Sequence, residues 1–173
     1  SFFAIWRGPN TSAIDALGTG ITGGEPLLKL DYVLKCIRAI KAALGSGHHI
    51  HLYTGLLPDR EVLMRLKQAG LDEIRFHPPV SEWSNPQGLY RALTQAKSLG
   101  LLAGVEIPAI AYAPSIVKAV MDADAFLNLN ELEFSETNYA GLAEEGFIPV
   151  ELGCGAVGSE SAAREYFRND GLK

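Results

Sequence analysis

The residues best suited to hold a ligand lie in one short turn, Gly23-Gly24-Glu25-Pro26. An apolar run precedes this turn, and apolar side chains recur at helical spacing after it, which predicts a strand, a tight turn and a helix. Two adjacent glycines let the backbone approach a ligand closely, and Glu25 supplies a charged acceptor at the carboxyl end of the strand. The turn therefore predicts a binding site, although glycine-rich turns with an acidic residue also serve as plain connections between a strand and a helix.

Polar residues alternate with apolar residues in the predicted strands that follow. In a parallel barrel the outward-pointing side chains pack against helices, so the polar residues between them should face the interior. Burying many ionisable groups without partners is costly, which favours a ligand-binding role for the set, although a single histidine on a strand is more often a structural residue. The set comprises His49, His51, Tyr53, Arg75, His77, Glu106, Asn128 and Asn130.

The elements that must position these residues alternate along the chain. A helical pattern runs from Leu27 to Leu44, Pro58 and Pro114 suit first helical positions, and Asn85 suits a helix cap. This order predicts an α/β fold, a partial TIM-type (β/α)6 barrel with parallel strands, although an open doubly wound sheet also fits. We expect a single domain over 1–173, with 147–173 as a C-terminal extension. Strands are predicted over 2–6, up to Thr22, and over 49–54, 71–77, 101–107 and 125–129.

Composition narrows the class of protein. The chain has 173 residues, 47% of them hydrophobic, and a net charge of -5, which makes nucleic acid an unlikely partner. No apolar run approaches the roughly 20 residues that cross a bilayer, and the first residues do not resemble a signal peptide, so we expect a soluble, cytoplasmic protein. The two cysteines, Cys36 and Cys154, lie far apart and lack metal-ligand spacing.

Several of these segments resemble the radical S-adenosylmethionine (radical SAM) superfamily, and in particular its archaeal activating-enzyme-like group. The similarity runs from residue 16 to about residue 135. It includes the Gly-Gly-Glu-Pro turn and the strand segments His48–Thr54, Leu71–Pro78 and Leu127–Phe134. The resemblance implies a radical SAM enzyme that uses a 4Fe-4S cluster to cleave SAM and to abstract hydrogen from an unidentified substrate, which could be a small molecule or a protein. A reductant protein such as ferredoxin or flavodoxin is also implied.

The resemblance also implies roles for individual residues. Gly23, Gly24 and Glu25 would contact the methionine moiety of SAM. The remaining roles follow only from strand position. Arg75, His77 and Glu106 would lie near the SAM carboxylate or ribose, Asn128 and Asn130 near adenine, and His49, His51, Tyr53 and Thr54 would face the substrate.

The sequence departs from the family in one respect. Members carry a Cys-x3-Cys-x2-Cys loop after the first strand, and this chain has no such motif. Without three thiolates there is no evident way to hold the cluster. The connection between Trp6 and Leu17 is also short for a parallel crossover. We therefore expect that a cluster-binding loop near 6–12 is missing from the chain; the alternative is a cluster-less SAM- or nucleotide-binding module.

Two other functions compete with this interpretation. An aldolase-type barrel could bind phosphate at the glycine turn, but the carboxylate of Glu25 would repel an anion, and no lysine lies at a predicted strand end for Schiff-base chemistry. A metal site could form from His49, His51 and His77, because a His-x-His pair on a strand places both rings on one face. Such a site would occupy the space that the resemblance assigns to SAM.

Overall fold

A computed structural model describes residues 17–170, with side chains described up to residue 168. The described chain forms two compact units. The first contains residues up to Val105 together with Ser115–Leu127, and the second contains Glu106–Pro114 and the chain from Asn128 onward. The predicted strand over 2–6 and the expected gap near 6–12 lie outside the described residues.

Five strands form one sheet in the order β1-β2-β3-β4-β5. Strands β1 to β4 pair in parallel with their neighbours. The pairing places Gly20 opposite His51 and Tyr53 opposite Arg75. Each strand lies beside its predecessor in sequence, which is the order of a singly wound (β/α) barrel and differs from the reversal found in open doubly wound sheets. The predicted α/β fold with parallel strands is therefore confirmed, and the strand order favours the partial barrel.

Helices separate the strands as the apolar periodicity predicts. A 3-10 turn over Pro26–Lys29 precedes the first helix. The strands are β1 Gly18–Ile21, β2 His49–Thr54, β3 Glu73–Phe76, β4 Leu102–Pro108 and β5 Phe126–Asn130, and the helices are α1 Leu30–Leu44, α2 Arg60–Ala69, α3 Gln87–Ser98, α4 Pro114–Asp122, α5 Tyr139–Glu144 and α6 Ser159–Asp170.

Two predicted helix starts are wrong. Pro58 is not the first helical residue of α2, because Asp59 caps the helix by accepting a hydrogen bond of 2.9 Å from the Val62 N–H. Asn85 does not cap α3, whose N-cap is Pro86 without a side-chain hydrogen bond. The start of α2 is set by this carboxylate, which accepts a hydrogen bond from a backbone N–H of the first turn. Pro114 does open α4, as predicted.

The first unit has two chemically distinct sheet faces. Ile50, Leu52, Ile74 and Phe76 are fully buried, and these alternate residues form the apolar face of β2 and β3. Because side chains alternate along a strand, the remaining positions of these strands share the opposite face. That polar face carries the residues His49, His51, Tyr53, Glu73 and Arg75.

The second unit is anchored by two buried side chains of α6. The Ser159 hydroxyl donates to the Ala109 carbonyl and accepts from the Leu132 N–H. The Tyr166 hydroxyl donates to the carbonyl of Ala111 at 2.8 Å, and its ring is fully buried. These bonds hold the segment after β4 and the segment after β5 to one helix. Within residues 17–170, no helix combines the length and apolar composition of a membrane span.

Candidate functional site

The carboxylate of Glu25 joins the ends of the first two strands. One oxygen accepts hydrogen bonds from the Leu27 N–H at 3.0 Å and from the Thr54 hydroxyl at 2.7 Å. The other oxygen accepts from the Gly55 N–H at 2.8 Å. Glu25 thus caps the 3-10 turn that precedes α1 and also fastens that turn to the carboxyl end of β2. Its carboxylate is fixed in orientation before any ligand arrives.

The two glycines of the turn differ in what they require. Gly23 has a φ of 118°, a conformation that strains any residue with a side chain. Gly24 has no such φ, and a methyl group added there would meet nothing within 4 Å. The backbone beside Glu25 is exposed, so this part of the turn has room for a ligand at close range.

The end of β3 is hydrogen-bonded to the end of β2, next to the Glu25 carboxylate. The His77 N–H donates to the carbonyl of Thr54 at 2.8 Å, and the His77 side chain is exposed. Thr54 itself is only 2% exposed, and its hydroxyl also accepts from the Leu56 N–H. Thr54 therefore contacts Glu25 directly and organises the loop after β2. Its assignment as a substrate-facing residue remains a prediction.

The polar face of the first unit is a connected network. His49 Nε2 lies 3.0 Å from a carboxylate oxygen of Glu73, and the other oxygen of Glu73 accepts from Arg75 Nε. Arg75 also donates to the Tyr53 hydroxyl at 3.0 Å. The His51 ring lies edge-on to the Tyr53 ring, with centroids 5.2 Å apart. Four members of the predicted interior set, His49, His51, Tyr53 and Arg75, are therefore brought together within this unit.

Glycines make room for this network. A methyl group at Gly20 would lie 2.7 Å from His51 Nε2, and one at Gly104 would lie 2.3 Å from the Phe126 ring. The sequence interpretation gave no role to Glu73, Gly20 or Gly104. The available signals were the two-residue spacing of Gly18 and Gly20, and that of Glu73 and Arg75, because residues two apart share a strand face.

The second unit contains a separate carboxylate and amide cluster. Glu106 is 8% exposed, and its two oxygens accept from Asn128 Nδ2 at 2.9 Å and from Asn130 Nδ2 at 2.8 Å. The alternation that placed these three residues on one predicted face is confirmed by these contacts. Their assignment to the adenine and the carboxylate or ribose of SAM remains a prediction.

The three histidines considered for a metal site are not grouped as metal ligands in the described part of the chain. Among the described residues, no three His, Cys, Asp or Glu side chains are grouped so as to hold a metal ion, and His49, His51 and His77 are all within that part of the chain. His49 instead contacts Glu73, and the rings of His49 and His51 are 6.0 Å apart. Strand alternation placed the first two rings on one face, but His77 lies beyond the end of β3.

Comparisons with known proteins show what the chain is similar to. No family model matches the chain. The chain is 39% identical over 164 residues to a protein of Methanocaldococcus jannaschii named "Putative glycyl-radical enzyme activating enzyme". The alignment covers 87% of this chain and 43% of the relative, so the chain spans less than half of that protein's length. The predicted similarity to the activating-enzyme-like group of the radical SAM superfamily is confirmed.

The residues present fit SAM and the cluster unequally. The open backbone at Gly24 and the fixed carboxylate of Glu25 fit the amino group of an amino-acid ligand. A 4Fe-4S cluster that leaves one iron for SAM needs three thiolates, and this sequence contains two cysteines separated by more than a hundred residues. The cluster therefore does not fit the residues of this chain.

Proposed function

We propose that this chain is the SAM-binding part of a radical SAM enzyme of the activating type. In this proposal the Gly23-Gly24-Glu25 turn holds the amino group of the methionine moiety. The observation that supports it is the carboxylate of Glu25, which three hydrogen bonds hold in one orientation. It lies beside the open backbone of Gly24 at the carboxyl ends of parallel strands. Ligands of α/β folds bind at that edge of the sheet.

Glu25 would act as an electrostatic anchor. Within residues 17–170 its partners are two backbone N–H groups and one hydroxyl, none of which carries a positive charge that would neutralise the carboxylate. A carboxylate offers about four acceptor positions, so an ammonium group can still approach while three described donors keep the side chain in place. An ammonium–carboxylate contact is a charge-assisted hydrogen bond, which is stronger than a neutral one.

Bound SAM would supply, given an electron from a reductant, a 5′-deoxyadenosyl radical for hydrogen abstraction, and Gly23, Gly24 and Glu25 would hold its amino group. The name of the relative points to a glycyl-radical enzyme as the substrate of that protein. We extend this to a protein substrate here, with ferredoxin or flavodoxin as the reductant. The contribution of this chain's own residues is to bind and orient SAM at the strand ends.

Isothermal titration calorimetry with SAM tests the assignment. We expect Glu25→Gln, which removes the charge and keeps the size, to weaken binding by about 10-fold, since a charge-assisted hydrogen bond contributes about 1.5–3 kcal/mol. Glu25→Ala should weaken it further. Glu61→Gln is the matched control, because Glu61 is an exposed residue of α2. Unchanged affinity in both Glu25 variants would contradict the assignment.

Reconstitution separates the two candidate functions. The protein would be treated anaerobically with iron and sulfide, and 5′-deoxyadenosine would then be measured in the presence of SAM and a reductant. Iron uptake together with 5′-deoxyadenosine supports the radical enzyme. SAM binding without iron uptake supports the alternative, a cluster-less SAM- or nucleotide-binding module.

A further inference from the structure

The buried carboxylate of Glu73 is the centre of the polar face in the first unit. Glu73 is 7% exposed, and each of its oxygens has a different partner, Arg75 on one side and His49 on the other. A buried carboxylate is costly unless it is paired. The pairing with Arg75 offsets that cost and at the same time determines where the guanidinium lies.

Arg75 is held from several directions. Its Nε donates to Glu73 and its Nη1 to the Tyr53 hydroxyl. The centre of the guanidinium lies 5.3 Å from the centroid of the Tyr53 ring and 5.7 Å from that of the Phe126 ring. The missing side chain of Gly104 admits the Phe126 ring. These hydrogen bonds and aromatic rings confine the guanidinium on the polar face of the sheet.

Such confinement is poorly explained by stability. Replacing a buried ion pair by apolar residues is often neutral or stabilising, so a buried pair is weak evidence of a structural role. An arginine that recognises a ligand benefits from being fixed, because the side-chain entropy is then lost on folding instead of on binding. Binding residues need a supporting shell that locks their rotamers, and Glu73 supplies that support here.

We propose that Glu73 is a positioning residue that fixes Arg75 for recognition of a carboxylate on the bound ligand. A carboxylate is the planar anion that matches the donor geometry of a guanidinium. The inference rests on the proposed function, in which the carboxylate belongs to the methionine moiety of SAM. Glu73 acts through Arg75 and need not touch the ligand.

The experiment compares two ligands that differ in one group. SAM and decarboxylated SAM share the ammonium group, the sulfonium and the nucleoside, but only SAM has the carboxylate. By calorimetry on the full chain, we expect Glu73→Gln and Arg75→Lys each to weaken SAM by about 10-fold, the loss of one charge-assisted contact, and to leave decarboxylated SAM within about twofold. Tyr53→Phe should give the same pattern with a smaller change. A general loss of structure would weaken both ligands equally.

The Glu25 variants separate this inference from the proposed function. Glu25→Gln should weaken both ligands, since both carry the ammonium group. If Glu25→Gln weakens both and neither Glu73→Gln nor Arg75→Lys discriminates between them, the positioning role is overturned and the SAM site stands. If the wild-type chain binds neither ligand, or Glu25→Gln affects neither, both proposals are overturned. Equal losses for the two ligands in Glu73→Gln and Arg75→Lys would also overturn the positioning role.

Discussion

The parallel strands of the first unit use polar residues differently at their two ends. We call the side where the strands begin the amino edge and the side where they end the carboxyl edge. At the amino edge, the Lys41 ammonium donates to the carbonyls of Ser46 and His48 and to the Asp72 carboxylate. Asp72 in turn accepts from the Ile50 N–H at 2.8 Å. We call Thr19, Lys41, His48 and Asp72 the amino-edge cluster, because Thr19 and His48 complete it with a buried hydrogen bond of 2.7 Å.

At the carboxyl edge, one carboxylate holds a turn whose backbone remains open. Glu25 accepts from the ends of the turn and of β2, and Gly24 has free space beside it. In the amino-edge cluster the hydrogen bonds close the sheet at the loops where the strands begin. Polar residue types alone do not distinguish a binding edge from a structural one; the partners of each polar atom do.

Substitution at the amino edge should cost the most stability. Asp72→Ala removes the acceptor of the Ile50 N–H and one of the three acceptors of the Lys41 ammonium. We expect the free energy of unfolding to fall by about 1–3 kcal/mol, the penalty for an unsatisfied buried group, as measured by urea denaturation. SAM affinity should not change. Asp31→Ala is the control, since Asp31 forms an ion pair with Arg65 while 82% exposed, and should cost less than about 0.5 kcal/mol. A larger loss at Asp31 than at Asp72 would contradict the comparison.

At the carboxyl edge, Thr54 should affect both the stability of the chain and the binding of SAM. Thr54→Val keeps the shape but removes the hydroxyl that donates to Glu25 and accepts from the Leu56 N–H. We expect a loss of about 1–2 kcal/mol in urea denaturation, because Leu56 and Glu25 each lose a partner, together with weaker SAM binding by calorimetry. Thr54→Ser, which retains the hydroxyl, should restore the affinity. Failure of the serine variant to restore it would show that Glu25 is not oriented through this bond.

Substitutions at Gly23 and Gly24 should have different effects, one on backbone strain and the other on the approach of a ligand to the backbone. Gly23→Ala forces a side chain into a φ of 118° and should destabilise the chain by about 1 kcal/mol. Gly24→Ala meets no atom within 4 Å and should leave the melting temperature unchanged. If the ligand approaches the backbone here, Gly24→Ala should still weaken SAM binding. Equal affinity for SAM in wild type and Gly24→Ala would remove this glycine from the site.

The smallest effect should appear in the pH dependence of stability. Burial raises the pKa of Asp72, but the hydrogen bonds from Lys41 and Ile50 outweigh it and keep the pKa below its ordinary value of 3.8. The stabilisation is therefore complete above pH 3.8 and is lost as the pH falls through the lower pKa of the folded state. We therefore expect the free energy of unfolding, measured by urea denaturation at several acid pH values, to change less steeply with pH in Asp72→Asn than in wild type. Identical slopes would contradict this assignment.

The local patterns of the sequence were sufficient for much of the fold and for the turn. Apolar periodicity predicted six strands, because periods of two and about 3.6 are properties of single segments. Five of them are confirmed, and the first, over 2–6, lies outside the described residues. The turn at Gly23-Gly24-Glu25 was recognisable for the same reason. The helix starts at Pro58 and Asn85 were wrong, since a cap depends on which side chain reaches a free N–H.

The partners of the polar residues were decided only by the tertiary structure. Glu25 meets Thr54 29 residues away, and Glu73 meets His49 24 residues away. These pairs exist because parallel register places one strand beside the next, a relation that a linear pattern does not contain. The same register sets Gly104 beside Arg75. The sequence by itself determined which residues could bind a ligand; the sheet decided which of them are pinned, which are paired and which are left open.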